Sequence, residues 1–348
     1  MREITVATVQ MKPELGNSEN NLVKMSDFVS KITSQQKVDL IVFPELVTSG
    51  YELGVRFTEL AQRVPGPAIN LMAQRAADAG VYIAFGLVTK EKVESILYNS
   101  AVLVGPEGEL LGAYHKVHLR GEERMAFREG FKLPVIDTGE IGKVGLMLGW
   151  DLAFPEVSRA MTLDGAELLC VMANWESNSM DEWKTYVRAR AYENALFVAA
   201  ANRVGSDVTM RFGGESMIVG PRGRIYASLE NEPELKKALE APKAAATTTT
   251  TSKEPASAAV PAASGATPAT APAPQAEGSV SAGTPAASAA SAASAAGKKA
   301  EGPKGTDTST EGYCVARIDL DEVRRYREEF QTLQARQPTV YKAVVRRY

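Results

Sequence analysis

The sequence predicts an α/β layered domain with a mixed sheet, and three observations predict it. Buried, strand-like apolar runs alternate with segments of helical apolar spacing through about the first two hundred residues. A tight turn, Gly105-Pro106-Glu107-Gly108, folds one apolar run back on the next, so some strands are antiparallel. Polar residues stand where buried runs stop, the place where loops of α/β proteins carry chemistry.

In order along the chain, REITVATVQ (residues 2–10) reads as a buried strand. NSENNLVKMSDFVSKITSQQ reads as a helix, with Leu22, Met25, Phe28, Val29 and Ile32 at helical spacing. VDLIVFPEL is a second buried strand, and PAINLMAQRAADAG a second helix closed by Gly80. VYIAFGLVTK and ILYNSAVLVGPEGEL supply further strands. GKVGLMLG, AELLCVMAN and LFVAAANRV then repeat the alternation, with helices between them.

Lys243 to Gly312 differs from everything around it: Ala, Ser, Thr, Pro and Gly, with no aromatic residue, Leu or Ile. Such a stretch cannot bury enough apolar area to offset the entropy of ordering, so it is expected to be disordered. The Ala/Ser run Ala286–Ala296 has some helical tendency, limited by the flanking prolines and glycine. The pattern of a folded domain resumes after it, with a strand over Tyr313–Ile318 and a helix from near Leu320; before it, a strand is expected over Arg224–Leu229. The expected organisation is one domain over residues 1–242, an insertion over 243–312, and a strand and helix over 313–348 completing the same domain. Loop closure grows only with the logarithm of length, so a long insertion is tolerated, and a tethering or partner-docking role is the sharper alternative.

The net charge of -3 gives no electrostatic reason to expect nucleic acid or an anionic membrane as partner. The N-terminus lacks the basic and apolar pattern of a signal peptide, and no apolar stretch is long enough to span a bilayer. Cys170 and Cys314 each lie in apolar runs and read as buried thiols rather than a disulfide. His115 and His118 stand without Cys or carboxylate at ligand spacing, so no metal site and no cofactor are expected. A cytoplasmic location is the expectation.

Three stretches carry candidate chemistry. In VFPELVTSGY, Glu45 follows an apolar run and a proline; partial desolvation there would raise a carboxyl toward general-base use, the alternative being a capping or salt-bridged Glu. In YHKVHLRGEERMAF, Lys116 could stabilise an oxyanion and Glu123, seven residues on, could orient it; taken alone the stretch also reads as a solvated charged loop. In VGLMLGWDLAFPEVSRA, a strand leads into a sharp turn at Gly149-Trp150-Asp151 and then a helix, the shape that lifts one reactive side chain into a pocket. The residue at the tip, Gly149, has no side chain.

Taken together and in this order, FPEL, YHKVHL, GWDLAFPEVSRAMTLDGAELL, WKTYVRARAYENALFVAAANRVG and GGESMIVGPRGRI resemble the nitrilase superfamily of carbon–nitrogen hydrolases over nearly the whole chain outside the insertion. The resemblance implies an αββα four-layer sandwich with mixed sheets and a Glu-Lys-Cys triad. It places the base at Glu45, the oxyanion-stabilising lysine at Lys116 and a supporting carboxylate at Glu123. The family's nucleophile box reads GWDLAFPE here, which puts Gly149 at the cysteine position. Neither Ser158, beyond the turn, nor Cys170, in the next strand, substitutes for it.

Losing a central nucleophile removes several orders of magnitude of rate, so covalent hydrolysis of an amide, carbamoyl amine or nitrile is expected to be absent or very weak. The alternatives are a pseudoenzyme that binds a small carbonyl or carboxylate metabolite or serves as a partner scaffold, and a hydrolase in which Glu45 activates water directly. The resemblance also implies a pocket shaped by Tyr51, Trp150, Trp175 and Glu176, with the Trp150 N–H completing an oxyanion site. It implies a small-molecule substrate, and a homodimer or larger assembly built partly through the C-terminal EEFQTLQARQPTVYKAVVRRY.

Overall fold

The computed structural model describes residues 1–91, 96–229, 310–341 and 344. Two six-stranded sheets and a two-stranded ribbon form its framework. The first sheet has β1 (Glu3–Gln10), β2 (Leu40–Val42), β3 (Tyr82–Lys90), β4 (Leu97–Val104) and β5 (Leu110–His115) in sequence order, with β14 (Gly312–Asp319) outside β1. The second has β6 (Val135–Asp137), β7 (Lys143–Leu148), β8 (Leu168–Ala173), β9 (Phe197–Asn202), β12 (Met217–Val219) and β13 (Ile225–Ser228), running from β6 at one edge to β13 at the other. In each sheet three central strands are parallel, β1-β2-β3 and β7-β8-β9, and antiparallel strands flank them. The ribbon pairs β10 (Val204–Ser206) with β11 (Arg211–Gly213).

The period of two along each strand assigns the layers. In the first sheet, Ile4, Val6, Leu40, Val42, Tyr82, Ala84, Ala101 and Leu103 face the second sheet and share a core with Val144, Leu146, Leu148, Val171 and Ala199. Their alternates, Ala7, Val9, Ile41, Ile83, Phe85, Val102 and Val104, face Met25, Val29 and Ile32 of α1 (Ser18–Gln35) and Ile69, Met72 and Ala76 of α3 (Pro67–Ala79), with the one-turn α2 (Phe57–Leu60) between the two in sequence. The second sheet is covered by α5 (Pro155–Leu163) and α6 (Met180–Asn194), which contribute Val157, Met161, Trp183, Val187 and Ala191 to its core. The result is the α/β sandwich of two mixed sheets between helical layers. Strands buried on both faces need near-continuous apolar runs, which is why they were legible in sequence.

The helix signals hold in detail. Asn17 caps α1 by accepting the Asn20 N–H, and Gly80 ends α3 in the left-handed conformation at φ 64°. The strand expected through VDLIVFPEL is shorter, spanning Leu40–Val42 only. Pro44 has no N–H for the ladder, and Leu46 adopts φ 46°, so the chain leaves the strand and turns.

Beyond the low-complexity segment the chain rejoins the first sheet. β14 pairs with β1 in antiparallel register, Glu3 opposite Asp319 and Gln10 opposite Gly312, and α7 (Asp321–Phe330) follows. Residues 243–309, including Ala286–Ala296, lie outside the described residues. Thr310, Glu311 and Gly312, which composition assigns to that segment, are held in the domain. Gln10 donates to the Thr310 carbonyl, and Glu311 accepts the Lys12 N–H and pairs with Lys24.

The two ends of the domain are clasped by Arg2, which pairs with Glu167 and with Asp321. Burial pushes the Glu167 carboxyl up, but the Arg2 hydrogen bond and the Lys143 N–H outweigh it, so the group lies below its usual value of 4.5. A carboxyl depressed on folding stabilises the fold above its unfolded value and loses that contribution as pH falls through its folded value. Arg2→Ala should therefore lower stability by about 1 kcal/mol at pH 7, a figure discounted for solvent screening of this half-exposed pair. Urea denaturation should show the gap between the two proteins narrowing as pH falls below 4.5.

Candidate functional site

The site lies where the central strands of both sheets end. Just past β2, Phe43 and Val47 donate to the Ala84 and Gly86 carbonyls, which ties the turn along β3 and points Glu45 inward. Gly86 permits this, since a Cβ there would stand 2.7 Å from both the Glu45 Cα and the Leu46 N. Lys116 follows β5, its N–H donating to the Asn99 carbonyl of β4 at 2.9 Å. Glu123 opens a single helical turn, α4 (Glu123–Ala126), and accepts the Arg120 N–H at 2.9 Å.

These groups meet at one ammonium. Lys116 Nζ donates to Glu45 Oε1 at 2.8 Å and to Glu123 Oε1 at 2.6 Å, and all three side chains are buried. Burial alone would lower the Lys116 pKa, but Glu123 and Glu45 outweigh it and hold the ammonium protonated. Glu45 is shifted the other way from an ordinary surface pair: burial and the Glu123 charge raise it, against the pull of Lys116 and Asn99. Asn99 Nδ2 donates to Glu45 Oε1 at 2.7 Å, and Glu45 Oε2 accepts the Asn174 N–H at 3.0 Å.

From the second sheet, β7 ends at Leu148 and the chain enters a 3₁₀ turn over Gly149–Ala153 before α5. Gly149 is buried at φ 42°, and a Cβ built on it would lie 2.6 Å from Glu45 Oε2 and 3.1 Å from Lys116 Nζ. The next residues are locked. Asp151, fully buried, accepts from Tyr114 Oη at 2.6 Å and from the His118 N–H at 2.8 Å, and its Oδ1 lies 2.9 Å from His118 Nδ1. The His118 ring stacks on Phe154 with centroids 3.6 Å apart. His118 thus has a carboxylate partner that sequence spacing hid, because Asp151 reaches it from the other sheet. No group of three or more possible metal ligands occurs among the described residues.

Glu45, Lys116, Glu123, Gly149, Tyr51, Trp150, Trp175 and Glu176 all line one pocket of about 390 Å³, counting its open mouth. Tyr51 stands edge-on to Phe212, and its N–H donates to Asp207, itself paired with the buried Arg203. Burial and Glu123 raise the Tyr51 hydroxyl well above its ordinary value, so it stays neutral. Trp175 is fixed by its N–H on Asn202 Oδ1 and its indole N–H on the Ser179 carbonyl. Ser158 and Cys170 do not line the pocket. Ser158 Oγ donates to the Pro155 carbonyl, and burial pushes the Cys170 thiol up within β8.

Four residues that sequence reasoning missed belong here: Asn99, Arg120, Asn174 and Ser179. Asn99 and Asn174 were findable. One is a polar residue inside the apolar run LYNSAVLV; the other stands immediately after the buried run LLCVMA, the position that singled out Glu45. Arg120 carries no such signal, because an exposed arginine in a charged loop is ordinary.

With this geometry in hand, comparison with known proteins places the chain. The carbon-nitrogen hydrolase family model matches residues 5–242, and the chain belongs to that family. It is 44% identical over 232 residues to a probable nitrilase of Schizosaccharomyces pombe, covering 66% of this chain and 85% of the relative. It is 33% identical over 225 residues to a 2-oxoglutaramate amidase of Bacillus subtilis, covering 64% of this chain and 85% of the relative. Among solved structures, an amidase from Nesterenkonia sp. superposes with TM-score 0.60 at 28% identity, over 65% of this chain and 86% of its own. A mutant of that amidase shows covalent addition of the acetamide moiety of fluoroacetamide at the active-site cysteine. A double mutant, one change replacing a cysteine by alanine, is in complex with acrylamide. A carbon–nitrogen hydrolase of Helicobacter pylori shares the fold over 99% of both chains, with TM-score 0.69 at 20% identity.

The buried ion triad makes a direct prediction. Lys116→Met strands two carboxylates out of water and should cost about 3–5 kcal/mol. Adding Glu45→Gln and Glu123→Gln to Lys116→Met should recover most of that loss, measured by urea denaturation at pH 7.

Proposed function

We propose that this chain holds a small carbonyl compound in the pocket of a carbon–nitrogen hydrolase but lacks the nucleophile for covalent hydrolysis, so that turnover of amides, carbamoyl amines or nitriles is absent or very weak. One observation carries the reading. The Cα–Cβ direction at residue 149 points between the Glu45 carboxylate and the Lys116 ammonium, where a nucleophile would need to be, and glycine offers no atom there. In the family reaction a thiolate attacks the carbonyl or nitrile carbon, the amine or ammonia leaves, and water releases the acid from the thioester. On this reading Glu45 is the base, Lys116 and the Trp150 N–H face the oxyanion, and Glu123 holds Lys116 in place. Tyr51, Trp150, Trp175 and Glu176 shape the pocket around the substrate.

The binding half of the proposal draws on the acrylamide complex of the Nesterenkonia double mutant. A pocket of this kind that has lost its cysteine is a ligand-binding pocket, and the chain acts as a pseudoenzyme. Direct activation of water by Glu45 is the weaker reading. Its Oε1 already accepts from Asn99 and Lys116, and its Oε2 from the Asn174 N–H. We further propose that residues 243–312 interrupt one hydrolase domain completed by 313–348. A homodimer or larger assembly is in keeping with the exposed Leu163 of α5 and Tyr192 of α6. A cytoplasmic setting is in keeping with two buried thiols that form no disulfide.

Ammonia release from a panel of amides, ω-amides, carbamoyl amines and nitriles tests the reading, with the chain and Gly149→Cys side by side. The chain should stay at the blank, and Gly149→Cys should turn over at least one substrate about 10³-fold faster or more. Fluoroacetamide should add to Gly149→Cys alone, read by intact mass. The new Cβ must displace Glu45 Oε2, and φ 42° is unfavourable to it, so Gly149→Cys should also melt lower, by about 1–3 kcal/mol of stability. Equal turnover by both proteins would overturn the proposal.

A further inference from the structure

A second cavity, of about 830 Å³ counting its open mouth, lies where β7 begins, at the far end of that strand from Gly149. Four cations line it, Arg2, Lys143, Arg324 and Arg327, against two carboxylates, Glu167 and Glu328. Glu167 is already taken: Oε1 accepts from Arg2, and Oε2 accepts from Arg2 and from the Lys143 N–H. Arg327, half-buried, makes a single side-chain hydrogen bond among the described residues, from Nη2 to the Ala166 carbonyl at 2.6 Å. Neither Arg327 nor the exposed Arg324 is ion-paired among the described residues, although Glu328 stands near them on α7. Arg325, on the same helix but outside the cavity, is paired with Asp319.

A half-buried guanidinium without a counter-ion is unfavourable, and its neighbours add to the cost. Burial lowers Arg327 from its ordinary value, and Arg159 of α5 lowers it further, against the pull of Glu167. Arg159 has no carboxylate of its own. It donates to the Glu193 carbonyl, while the Glu193 carboxylate is held by Arg190. Burial lowers Arg159 too, and Arg336 adds to this against the pull of Glu193. Positive charge therefore gathers here from α5, α7 and the segment after it, and the fold does not neutralise it.

We propose that this cavity binds a phosphate group, carried by inorganic phosphate or by a small phosphomonoester. A phosphoryl group brings a charge of about −1.5 to −2 near pH 7 and three acceptor oxygens that point in different directions. Those oxygens meet Arg327 and Arg324, one turn apart on α7, together with Lys143 at the start of β7. A planar carboxylate, with one charge and two oxygens, saturates on a single guanidinium and leaves the other cations unpaired. Arg2 stays with Glu167 and Asp321, so the bound phosphate ties α7 to β7 beside that clasp. Glu328 opposes the anion and limits its affinity.

Isothermal titration of the full chain at pH 7 tests this, in chloride buffers of matched ionic strength. The probes are inorganic phosphate, glycerol 3-phosphate and, as a planar monoanion, acetate. Phosphate should bind once per chain and about tenfold or more tighter than acetate. Arg327→Gln and Arg324→Ala should each weaken phosphate about tenfold. Arg325→Ala, on the same helix but outside the cavity, should leave it unchanged. Glu328→Gln should tighten phosphate about two- to threefold by removing an opposing charge. Melting curves without phosphate check that each variant folds. Equal binding of the two phosphates assigns the site to the phosphate group alone; tighter binding of glycerol 3-phosphate assigns it to a phosphomonoester.

Phosphate binding no tighter than acetate, or binding indifferent to Arg327→Gln and Arg324→Ala, would overturn the site. So would an oligomer that dissociates in Arg327→Gln while neither protein binds phosphate, a result that gives these arginines to an interface between copies of the chain.

Discussion

A lysine ammonium shared by two buried carboxylates is the interaction on which the rest of the site depends. Lys116 is pulled from the end of one strand, Glu45 from the turn after another, and Glu123 from a one-turn helix whose own folding would contribute little. None of the three charges could be buried alone, since an isolated ion out of water is far too costly. Burial, and with it the one surplus negative charge the three carry together, raises Glu45 even though it touches a cation. The surplus is spread by Asn99, which donates to both carboxylates, and by the Asn174 N–H. The triad therefore does two jobs: it fixes three loops relative to one another, and it keeps a carboxylate ready to take a proton.

The scaffold supplies what the triad cannot. Three parallel strands, β2, β7 and β8, and the antiparallel edge strand β5 all end at the pocket, so the residues just beyond them converge there. Gly86 lets the Glu45 turn lie directly against β3, where any side chain would push it away. Asp151 then joins the sheets, holding Tyr114 and His118 from the first sheet against a turn that belongs to the second. That clamp explains how the turn at Gly149 keeps its shape although its tip carries no side chain to anchor it.

Much of this was legible in the sequence, for a physical reason. Strands buried on two faces, such as β3 and β8, are continuous apolar runs, and helices such as α1 show their spacing and their caps; both are local signals. Glu45, Lys116, Glu123 and the residues around Gly149 could be singled out because charge or a sharp turn at the end of an apolar run is unusual. What stayed hidden was set by contacts distant in sequence. β2 stops early because Pro44 and Leu46 turn the chain against β3. The short strands β10, β11 and β12 have too few residues to show a period. The His118–Asp151 pair spans two sheets, and the unsatisfied amide of Asn174 can be recognised only when its surroundings are known.

The pairing of β14 with β1 has a consequence for the order in which the molecule can be made. Glu3 stands in register opposite Asp319, so the first residue pair of β1 and β14 joins the start of the chain to a strand near its end. During synthesis β1 emerges early, with one flank served by β2 and the other bare. That bare flank is an unpaired strand edge, able to pair with another chain, until residues 312–319 leave the ribosome. Everything inserted between β13 and β14 lengthens this interval in direct proportion to its residue count, while adding only logarithmically to the free energy of closure. The long segment ahead of β14 therefore weighs more on the time the nascent chain spends open than on the stability of the finished protein.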